Sequence, residues 1–306
     1  MNRPTLERER SPCLPDNHTM SNDPLPLRVD APPDPVDHEL EPLLGEPFAS
    51  AWASADTGRD APSAPLKGRL LERLAASRAA ARAMFTVRLK HLPPVELAPG
   101  VLARTLYQAP GDRALRPGEP VRAQLIELQA GARWAGPDES HHREWLVLRG
   151  AARIGEDPLQ LRDYHVAPAG AAAQPLSSDA GALLFLRESA LPSERAVATG
   201  HAAFTVRDVG AEWLDYAPGI RRRVLWQQAG QAAMLYHAKA GAAVPQHSHG
   251  HDEECLMVQG ELFLDDVLLQ EGDYQLAPAG TGHRITETDT GVVIYAHGDL
   301  DLKFIG

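Results

Sequence analysis

The chain has 306 residues and a formal net charge of −11, with 30 Lys and Arg against 41 Asp and Glu. So long a chain exceeds what one hydrophobic core usually organises, which predicts about two domains, and the acidic balance argues against direct nucleic-acid binding. The only cysteines, Cys13 and Cys255, exclude a disulfide framework and fit a reducing cytoplasm. No stretch has the composition of a signal peptide or a membrane span, so no membrane association is expected.

The first 63 residues are rich in Pro, Asp, Glu and Ser and contain only short apolar clusters. This composition buries too little apolar surface to offset the entropy of ordering, so residues 1–63 are predicted to form a disordered arm. Residues 64–84 follow Ser63, a good N-cap residue, and carry leucines at helical spacing. They predict one amphipathic linker helix, whose leucine stripe either packs on the following domains or binds a partner.

After this helix the chain contains the same pattern twice. Phe-Thr-Val-Arg at 85–88 recurs at 204–207, a displacement of 119 positions (204 − 85). Asp-Tyr-x-x-Ala-Pro-Ala-Gly at 163–170 recurs at 273–280, a displacement of only 110 (273 − 163). The first copy has therefore gained nine residues, which we place in the Gly- and Pro-rich stretch 111–120 because surface loops tolerate insertions.

Both copies consist of short Val-, Leu-, Ile- and Tyr-rich segments separated by Gly, Pro and Asp, with no helical periodicity. In the second copy, residues 261–264 and 267–270 are separated only by Asp265 and Asp266, which predicts a tight hairpin. The expected fold is all-β, with one small barrel or jelly roll at residues 85–195 and another at residues 200–306.

Four residues of the second copy have the spacing of a metal site: His247, His249, Glu253 and His283. Side chains two apart on a strand share a face, so His247 and His249 are predicted to point into one cavity. Glu253 follows the bend at 250–252, and His283 follows a Pro-Ala-Gly turn that can direct the next strand back to the same cavity.

Three imidazoles and one carboxylate suit Fe(II), Mn(II), Ni(II), Cu(II) or Zn(II). The alternative, that these are unrelated surface histidines, is disfavoured because Gly, Pro, His and Glu positions fit one pattern over about forty residues. We therefore expect one divalent transition metal, such as Zn, Fe, Mn or Ni, and the sequence does not select among these.

The two motifs resemble those of the cupin superfamily. The second copy is similar to the cupin domain of ChrR-type anti-sigma factors. The similarity lies in His-Ser-His at 247–249, Glu253-Glu254, Gly-Glu-Leu at 260–262, Gly-Asp-Tyr-Gln-Leu-Ala-Pro-Ala-Gly at 272–280 and His283. The resemblance implies two tandem jelly-roll barrels, with metal held by His247, His249, Glu253 and His283. It also implies a regulatory or sensing role and a sigma factor or another protein as partner.

The first copy departs from this pattern because it has lost the ligands. At a displacement of 110, the four ligand positions fall on Pro137, Glu139, Arg143 and Ala173. We expect no equivalent metal site there. Nearby, His141, His142 and Glu144 either form an improvised site or belong to a solvated polar loop, and the loop is the favoured interpretation.

The chain departs from the family in two further places, before the first repeat and at the end of the second motif. ChrR-type anti-sigma factors usually begin with a small helical domain that holds zinc through a histidine and paired cysteines, whereas Cys13 stands alone here, so that domain is predicted to be missing or reduced. Many cupins end the second motif with asparagine, where this chain has Glu287. Glu287 is either a carboxylate behind the ligands or, the favoured interpretation, an exposed strand residue.

Cys255 lies two residues after Glu253 and is predicted to face the same interior. It is either a buried core residue, which is favoured, or a redox reporter beside the metal.

Three functions remain open from the sequence. A regulatory module is preferred, with a protein partner, a small-molecule ligand in the second barrel and a homo-oligomer as expected associations. The alternative is a metal-dependent dioxygenase acting on a small oxygenated substrate such as a diketone, with Glu287 or Tyr236 handling protons. A bare scaffold is the third, and fold alone does not decide between them.

Overall fold

The computed structural model describes residues 83–111, 114–190, 203–228 and 230–305, together with Gly68, Glu72 and Ala75. The predicted arm, residues 1–63, lies outside the described residues. So does most of the predicted helix 64–84, which stays a prediction although Gly68, Glu72, Ala75 and Ala83 have helical backbone. Within the described part of the chain, no helix has the length and apolarity needed to cross a bilayer.

Eleven strands and one short 3-10 turn, Leu89–His91, make up the first half of the described chain. The strands are β1 (Phe85–Val87), β2 (Val95–Ala98), β3 (Val101–Gln108), β4 (Pro120–Leu128), β5 (Arg133–Trp134), β6 (His142–Gly150), β7 (Ala152–Ile154), β8 (Asp157–Leu159), β9 (Tyr164–Ala167), β10 (Leu176–Ser177) and β11 (Ala182–Ser189).

The second half repeats this arrangement with thirteen strands. They are β12 (Phe204–Val206), β13 (Leu214–Ala217), β14 (Ile220–Gln228), β15 (Gln231–Ala238), β16 (Ala242–Val244), β17 (His247–Ser248), β18 (Glu253–Leu264), β19 (Val267–Gln270), β20 (Tyr274–Ala277), β21 (Gly282–His283), β22 (Thr286–Thr288), β23 (Val292–Asp299) and β24 (Lys303–Phe304).

These strands form two barrels, each built from a large and a small sheet. The first barrel has a seven-stranded sheet, β12-β9-β6-β11-β4-β3-β2, and a four-stranded sheet, β5-β10-β7-β8. The second has a ten-stranded sheet around the path β1-β20-β18-β23-β15-β14-β13, joined by β16, β19 and β22, and a three-stranded sheet, β21-β17-β24. The all-β fold of two tandem jelly-roll barrels is confirmed.

The two barrels exchange their first strands. β1, from the first repeat, pairs antiparallel with β20 of the second barrel, with Phe85 opposite Leu276. β12, from the second repeat, pairs in the same way with β9 of the first barrel, with Phe204 opposite Val166. The predicted ranges 85–195 and 200–306 assign β1 to the first barrel and β12 to the second. In the structure, β1 pairs with the second barrel and β12 with the first.

Matched polar contacts hold the two exchanged strands. Asp273 accepts from Arg88 Nη1 at 2.8 Å and from the backbone N–H of Leu89 at 2.9 Å. In the first barrel, Asp163 accepts from Arg207 Nη1 at 3.1 Å and from the backbone N–H of Asp208 at 2.7 Å. Because both aspartates are buried, each needs these donors to offset the loss of water.

The local predictions within the repeats are confirmed. Residues 109–119 connect β3 to β4, whereas only residues 229–230 connect β14 to β15, so the nine extra residues lie in that first connection. β18 and β19 form the predicted hairpin, with Leu264 paired to Val267. Asp265 adopts a φ of 54° at the turn, a left-handed conformation that Asp tolerates better than most residues.

One apolar core is shared by both barrels, and it surrounds a buried polar network. Arg187 of the first barrel donates to Glu144 of the same barrel, at 3.1 Å, and to Glu254 of the second. Tyr164 donates to Glu144, and Tyr274 donates to Glu254 at 2.6 Å. One cation and two carboxylates are thus removed from water together, an arrangement that is stable only while every partner is present.

Candidate metal centre

The predicted ligands come together because two short strands pair. β17 lies antiparallel to β21, and His247 is directly opposite His283. Gly282 makes this approach possible, since a Cβ atom at that position would collide with the carbonyl oxygen of His247. His247 is buried and Ser248 is half-buried, so alternation along β17 turns the imidazole inward as the sequence predicts.

The donor atoms converge on Glu253, the first residue of β18. One donor atom each of His247, His249 and Glu253 lies within 4.8 Å of the other two. Glu253 Oε2 is 3.0 Å from His249 Nε2 and 3.7 Å from His283 Nε2. The structure therefore brings all four predicted residues to one place, and binding of a metal by them remains a prediction.

The outer nitrogen of each imidazole has a polar neighbour. His247 Nδ1 is 3.0 Å from the carbonyl oxygen of Pro245, and His283 Nδ1 is 3.3 Å from Asp265 Oδ2. His249 Nδ1 lies 3.5 Å from the hydroxyl of Thr281. Neighbours of this kind set the ring orientation of metal-binding histidines and leave Nε2 free for the ion.

The inward-facing nitrogens of His249 and His283 support the fit to a metal. Nε2 of His283 is buried and makes no hydrogen bond among the described residues, and Nε2 of His249 has only the Glu253 carboxylate beside it, at 3.0 Å. An unsatisfied buried nitrogen is costly, and a bound cation removes that cost. The donor set, three imidazoles and one carboxylate, fits a divalent transition metal.

The electrostatics of the cluster favour an ionised carboxylate. Burial alone would raise the pKa of Glu253, but His249, His283 and His247 lower it to about 2. Burial lowers the pKa of His247. For His249, the neighbouring Glu253 outweighs burial and raises the pKa. A carboxylate that stays ionised at neutral pH is what a metal ligand requires.

A cavity lies beside the cluster inside the second barrel. The volume open to the centre of a water-sized sphere is about 60 Å³, and the walls are mostly aliphatic side chains of β14 to β23. Tyr216 and Tyr236 stand on one wall with ring centroids 5.3 Å apart. Burial raises the pKa of Tyr236, so its phenol is a neutral donor at physiological pH. Such a cavity suits a small, mostly apolar ligand.

Cys255 and Glu287 lie where the favoured interpretations put them. Cys255 is buried and lines the cavity, and burial raises the pKa of its thiol. Glu287 is exposed on β22. Cys13 lies outside the described residues.

In the first barrel, residues at the ligand positions make contacts within the protein. Arg143 occupies the position of Glu253 and donates to the carbonyl oxygen of Ala171 at 2.5 Å. Glu139 accepts from the backbone N–H of Ala173 at 2.9 Å. Protein contacts thus replace the ligands.

The favoured interpretation of His142 and Glu144 as parts of a solvated loop is wrong. β6 begins at His142, and both side chains are buried where the two barrels meet. The polar segment 138–144 has the composition of a loop, but the residues that bury His142 and Glu144 include residues of the other barrel, such as Trp226. Local sequence does not reveal such a contact.

Several residues that shape the site were not found from the sequence. Asp265 was identified only as a turn residue, yet its carboxylate also accepts from the backbone N–H of Arg284 at 2.8 Å and faces His283. Tyr216 and Thr281 carried no signal at all. Their roles depend on which strands lie side by side, and local spacing does not report this.

Comparison with known proteins agrees with the fold. Residues 201–301 match the family model of the ChrR cupin-like domain. No curated protein matches the chain.

Solved structures resemble it at low identity. The Lactobacillus farciminis oxalate decarboxylase–formate complex is 13% identical, with a TM-score of 0.51 over 72% of this chain and 87% of that one. Bacillus subtilis oxalate decarboxylase, described with Mn(II) centres, is 15% identical, with a TM-score of 0.50 over 71% and 76%. AerE from Microcystis aeruginosa is 16% identical, with a TM-score of 0.51 over 72% and 100%.

At these identities the structural likeness shows the fold alone. The resemblance to cupins that the motifs indicate is confirmed. The chain is a bicupin by fold, and its second barrel matches the ChrR cupin-like domain.

Proposed function

We propose that the second barrel binds one divalent transition-metal ion through His247, His249, Glu253 and His283, and a small ligand in the adjoining cavity. The observation that carries this proposal is the convergence of three buried imidazoles on the half-buried Glu253, with Nε2 of His283 left without a hydrogen bond. The ion would supply Lewis acidity to a ligand oxygen. The protein would orient the imidazoles, exclude water and offer the Tyr236 phenol as a donor.

We further propose that occupancy of this site regulates a protein partner, such as a sigma factor. The match of residues 201–301 to the ChrR cupin-like domain supports this role. So does the position of Glu254, which follows the ligand Glu253 and contacts Arg187 of the first barrel. A change at the metal would therefore reach the interface between the barrels.

A second candidate function is a metal-dependent dioxygenase. The cavity beside the donor cluster favours it, because an enclosed apolar pocket can hold a small substrate such as a diketone against the metal. In that case Tyr236 would hold or donate a proton to the substrate. Glu287 is a poorer candidate because it is exposed.

Metal analysis and two functional assays test these proposals. The purified full chain should contain one equivalent of transition metal that is lost in Glu253→Gln and retained in Glu287→Gln. Co-purification with a sigma factor that changes on metal removal would support regulation. Oxygen consumption by the iron-loaded protein with a diketone panel, absent in Glu253→Gln, would support catalysis instead. A wild-type protein without metal would contradict both.

A further inference from the structure

The cavity beside the candidate metal centre is lined by small side chains where the first barrel has large ones. Cys255 lies opposite Ala296 in the pairing of β18 with β23, and both line the cavity. The equivalent pair in the first barrel, 110 positions earlier (255 − 145 and 296 − 186), is Trp145 opposite Leu186, and both are buried. The second barrel therefore has open space where the first has side-chain atoms.

A second tryptophan of the first barrel is also replaced. Trp134 packs edge-on against Trp145, with ring centroids 6.2 Å apart. Its equivalent 110 positions later (244 − 134) is Val244, which lines the cavity. Because an empty apolar space costs stability, a space left by such replacements points to a small molecule that fills it.

The size of the cavity limits what it can hold. The volume open to the centre of a water-sized sphere is about 60 Å³. One such sphere takes about 10–15 Å³ on this measure, so the cavity has room for about four to six groups of that size. Aliphatic side chains, including Leu262, Val292 and Ile294, form most of its wall. The part of an occupant that lies against them is therefore a short hydrocarbon chain.

The wall of the cavity offers no positive side chain. Among the described residues that line it, Glu253 is the one acid, and none is a lysine or an arginine. Arg222 lies behind Tyr216, 4.7 Å from the centre of its ring. It donates to the carbonyl oxygen of Leu300 and pairs with Asp301 at 3.5 Å, so its charge is compensated outside the cavity.

With the ion of the proposed function bound, the site would have a net charge of +1. A divalent ion contributes +2, the ionised Glu253 contributes −1, and histidines that bind a metal are neutral. A buried charge without a counter-charge is costly. A ligand with one negative charge would balance it, whereas a second negative charge would find no partner on the wall.

A buried hydroxyl on the same wall has no partner. Thr286 lines the cavity, and its Oγ1 makes no hydrogen bond among the described residues. The ligand candidate His283 lines the same cavity. A hydroxyl can donate to an oxygen of the occupant, and this bond would remove the cost of burying it unpaired.

We propose that the occupant is a short aliphatic monocarboxylate of about the size of butyrate. Its carboxylate would supply the balancing negative charge and accept from Thr286, and its hydrocarbon chain would fill the space that Cys255 and Ala296 leave. This inference rests on the proposed metal site and names the ligand class of that site.

Titration of matched small molecules tests the ligand class. The full chain is depleted of metal, loaded with Co²⁺, desalted and measured for cobalt, and ligands are then added while calorimetry and the visible spectrum of the cobalt are recorded. Butyrate should bind and change the spectrum. Succinate, which adds a second carboxylate to the same chain, and butan-1-ol, which has no charge, should bind roughly tenfold more weakly or less.

Two variants with matched controls test the position of the ligand. Thr286→Val keeps the shape of the side chain and should weaken butyrate binding roughly tenfold. Ala296→Leu introduces the side chain of the first barrel and should weaken it by about 10–200-fold, the usual effect of a methylene too many in an apolar pocket. The controls Thr290→Val and Ala243→Leu are at exposed positions outside the cavity and should bind butyrate as the wild type does.

The outcomes separate this inference from the function on which it rests. A wild-type chain that retains no cobalt overturns both. Cobalt that is retained without any response to butyrate, or with equal affinities for butyrate and succinate, overturns the monocarboxylate alone. A response to a diketone but not to butyrate does the same. Unchanged butyrate binding in both Thr286→Val and Ala296→Leu overturns the position of the ligand in the cavity.

Discussion

Glu253 and Glu254 are consecutive residues of β18, yet their carboxylates serve opposite sides of the strand. Glu253 Oε2 lies 3.0 Å from His249 Nε2 in the candidate metal centre. Glu254 accepts from Tyr274 and from Arg187 in the interface between the barrels. Successive strand side chains point to opposite faces, so one peptide unit joins the candidate metal centre to the polar network between the barrels.

Asp265→Asn should weaken metal binding by about 10–100-fold, the usual effect of losing an outer partner of a ligand histidine. Asp265 is buried and faces His283 Nδ1, whereas the neighbouring Asp266 is exposed. Asp266→Asn is therefore the matched control and should bind as tightly as the wild type. Competition with a chromogenic chelator measures both. Equal affinities in the two variants would show that Asp265 does not act on His283.

The metal-free protein should lose stability as the pH falls from about 5 to about 2. Glu253 has a pKa lowered to about 2, below its ordinary value of about 4.3, so its ionised form stabilises the folded state above that ordinary value. Protonation of Glu253 removes this contribution. Urea unfolding of wild type and Glu253→Gln across this range isolates the effect, since all other carboxyls are shared. Parallel stability curves for the two proteins would contradict the assignment.

Arg187→Ala should destabilise the chain by about 3–5 kcal/mol, because it leaves two buried carboxylates without their cation. Arg153→Ala removes an exposed arginine paired with the exposed Glu156 and should cost less than about 1 kcal/mol. Urea unfolding monitored by tryptophan fluorescence compares the two. A small loss for Arg187→Ala would mean that the interface carboxylates are not both ionised.

Asp163→Asn and Asp273→Asn should each lower the free energy of unfolding by a similar amount, about 1–3 kcal/mol. The two changes weaken equivalent acceptors that hold the exchanged strands. The exposed Asp266→Asn again serves as the control. Thermal unfolding of all three variants provides the measurement. A large cost for one aspartate and none for the other would show that the two exchanged strands are held differently.

Cys255 should be almost unreactive in the folded protein. Its thiol is buried and its pKa is raised by burial, so little thiolate is present at pH 8. In Cys13→Ser, a disulfide reagent such as DTNB should titrate one thiol only after denaturation. Rapid labelling of the folded protein would instead favour the redox-reporter interpretation.

The parts of the structure that follow from local spacing were predicted from the sequence. His247 and His249 share a face because strands alternate, and the hairpin at Asp265 follows from a two-residue turn between apolar segments. The loss of ligands in the first barrel followed from aligning the repeats.

The parts that depend on the other barrel were not predicted. In sequence, Phe85–Val87 is equally suited to pair with β9 of the first barrel or β20 of the second. An aspartate precedes each of these strands, Asp163 before β9 and Asp273 before β20, and either could accept from Arg88. The sequence therefore does not reveal the exchange. His142 and Glu144 looked solvated for the same reason, because the surface that buries them lies on residues far away in sequence.

Because the first strands are exchanged, neither repeat contains all the strands of one barrel. A cut between the repeats would leave the barrel with the candidate metal centre without β1, which completes its large sheet beside β20. It would also separate β12 from the first barrel, which β12 completes. We expect either repeat on its own to lack a strand of its large sheet, and so to expose the backbone hydrogen-bonding groups of β20 or β9. Phe85–Val87, the first strand of the first repeat, is part of the second barrel, which carries the four candidate ligands.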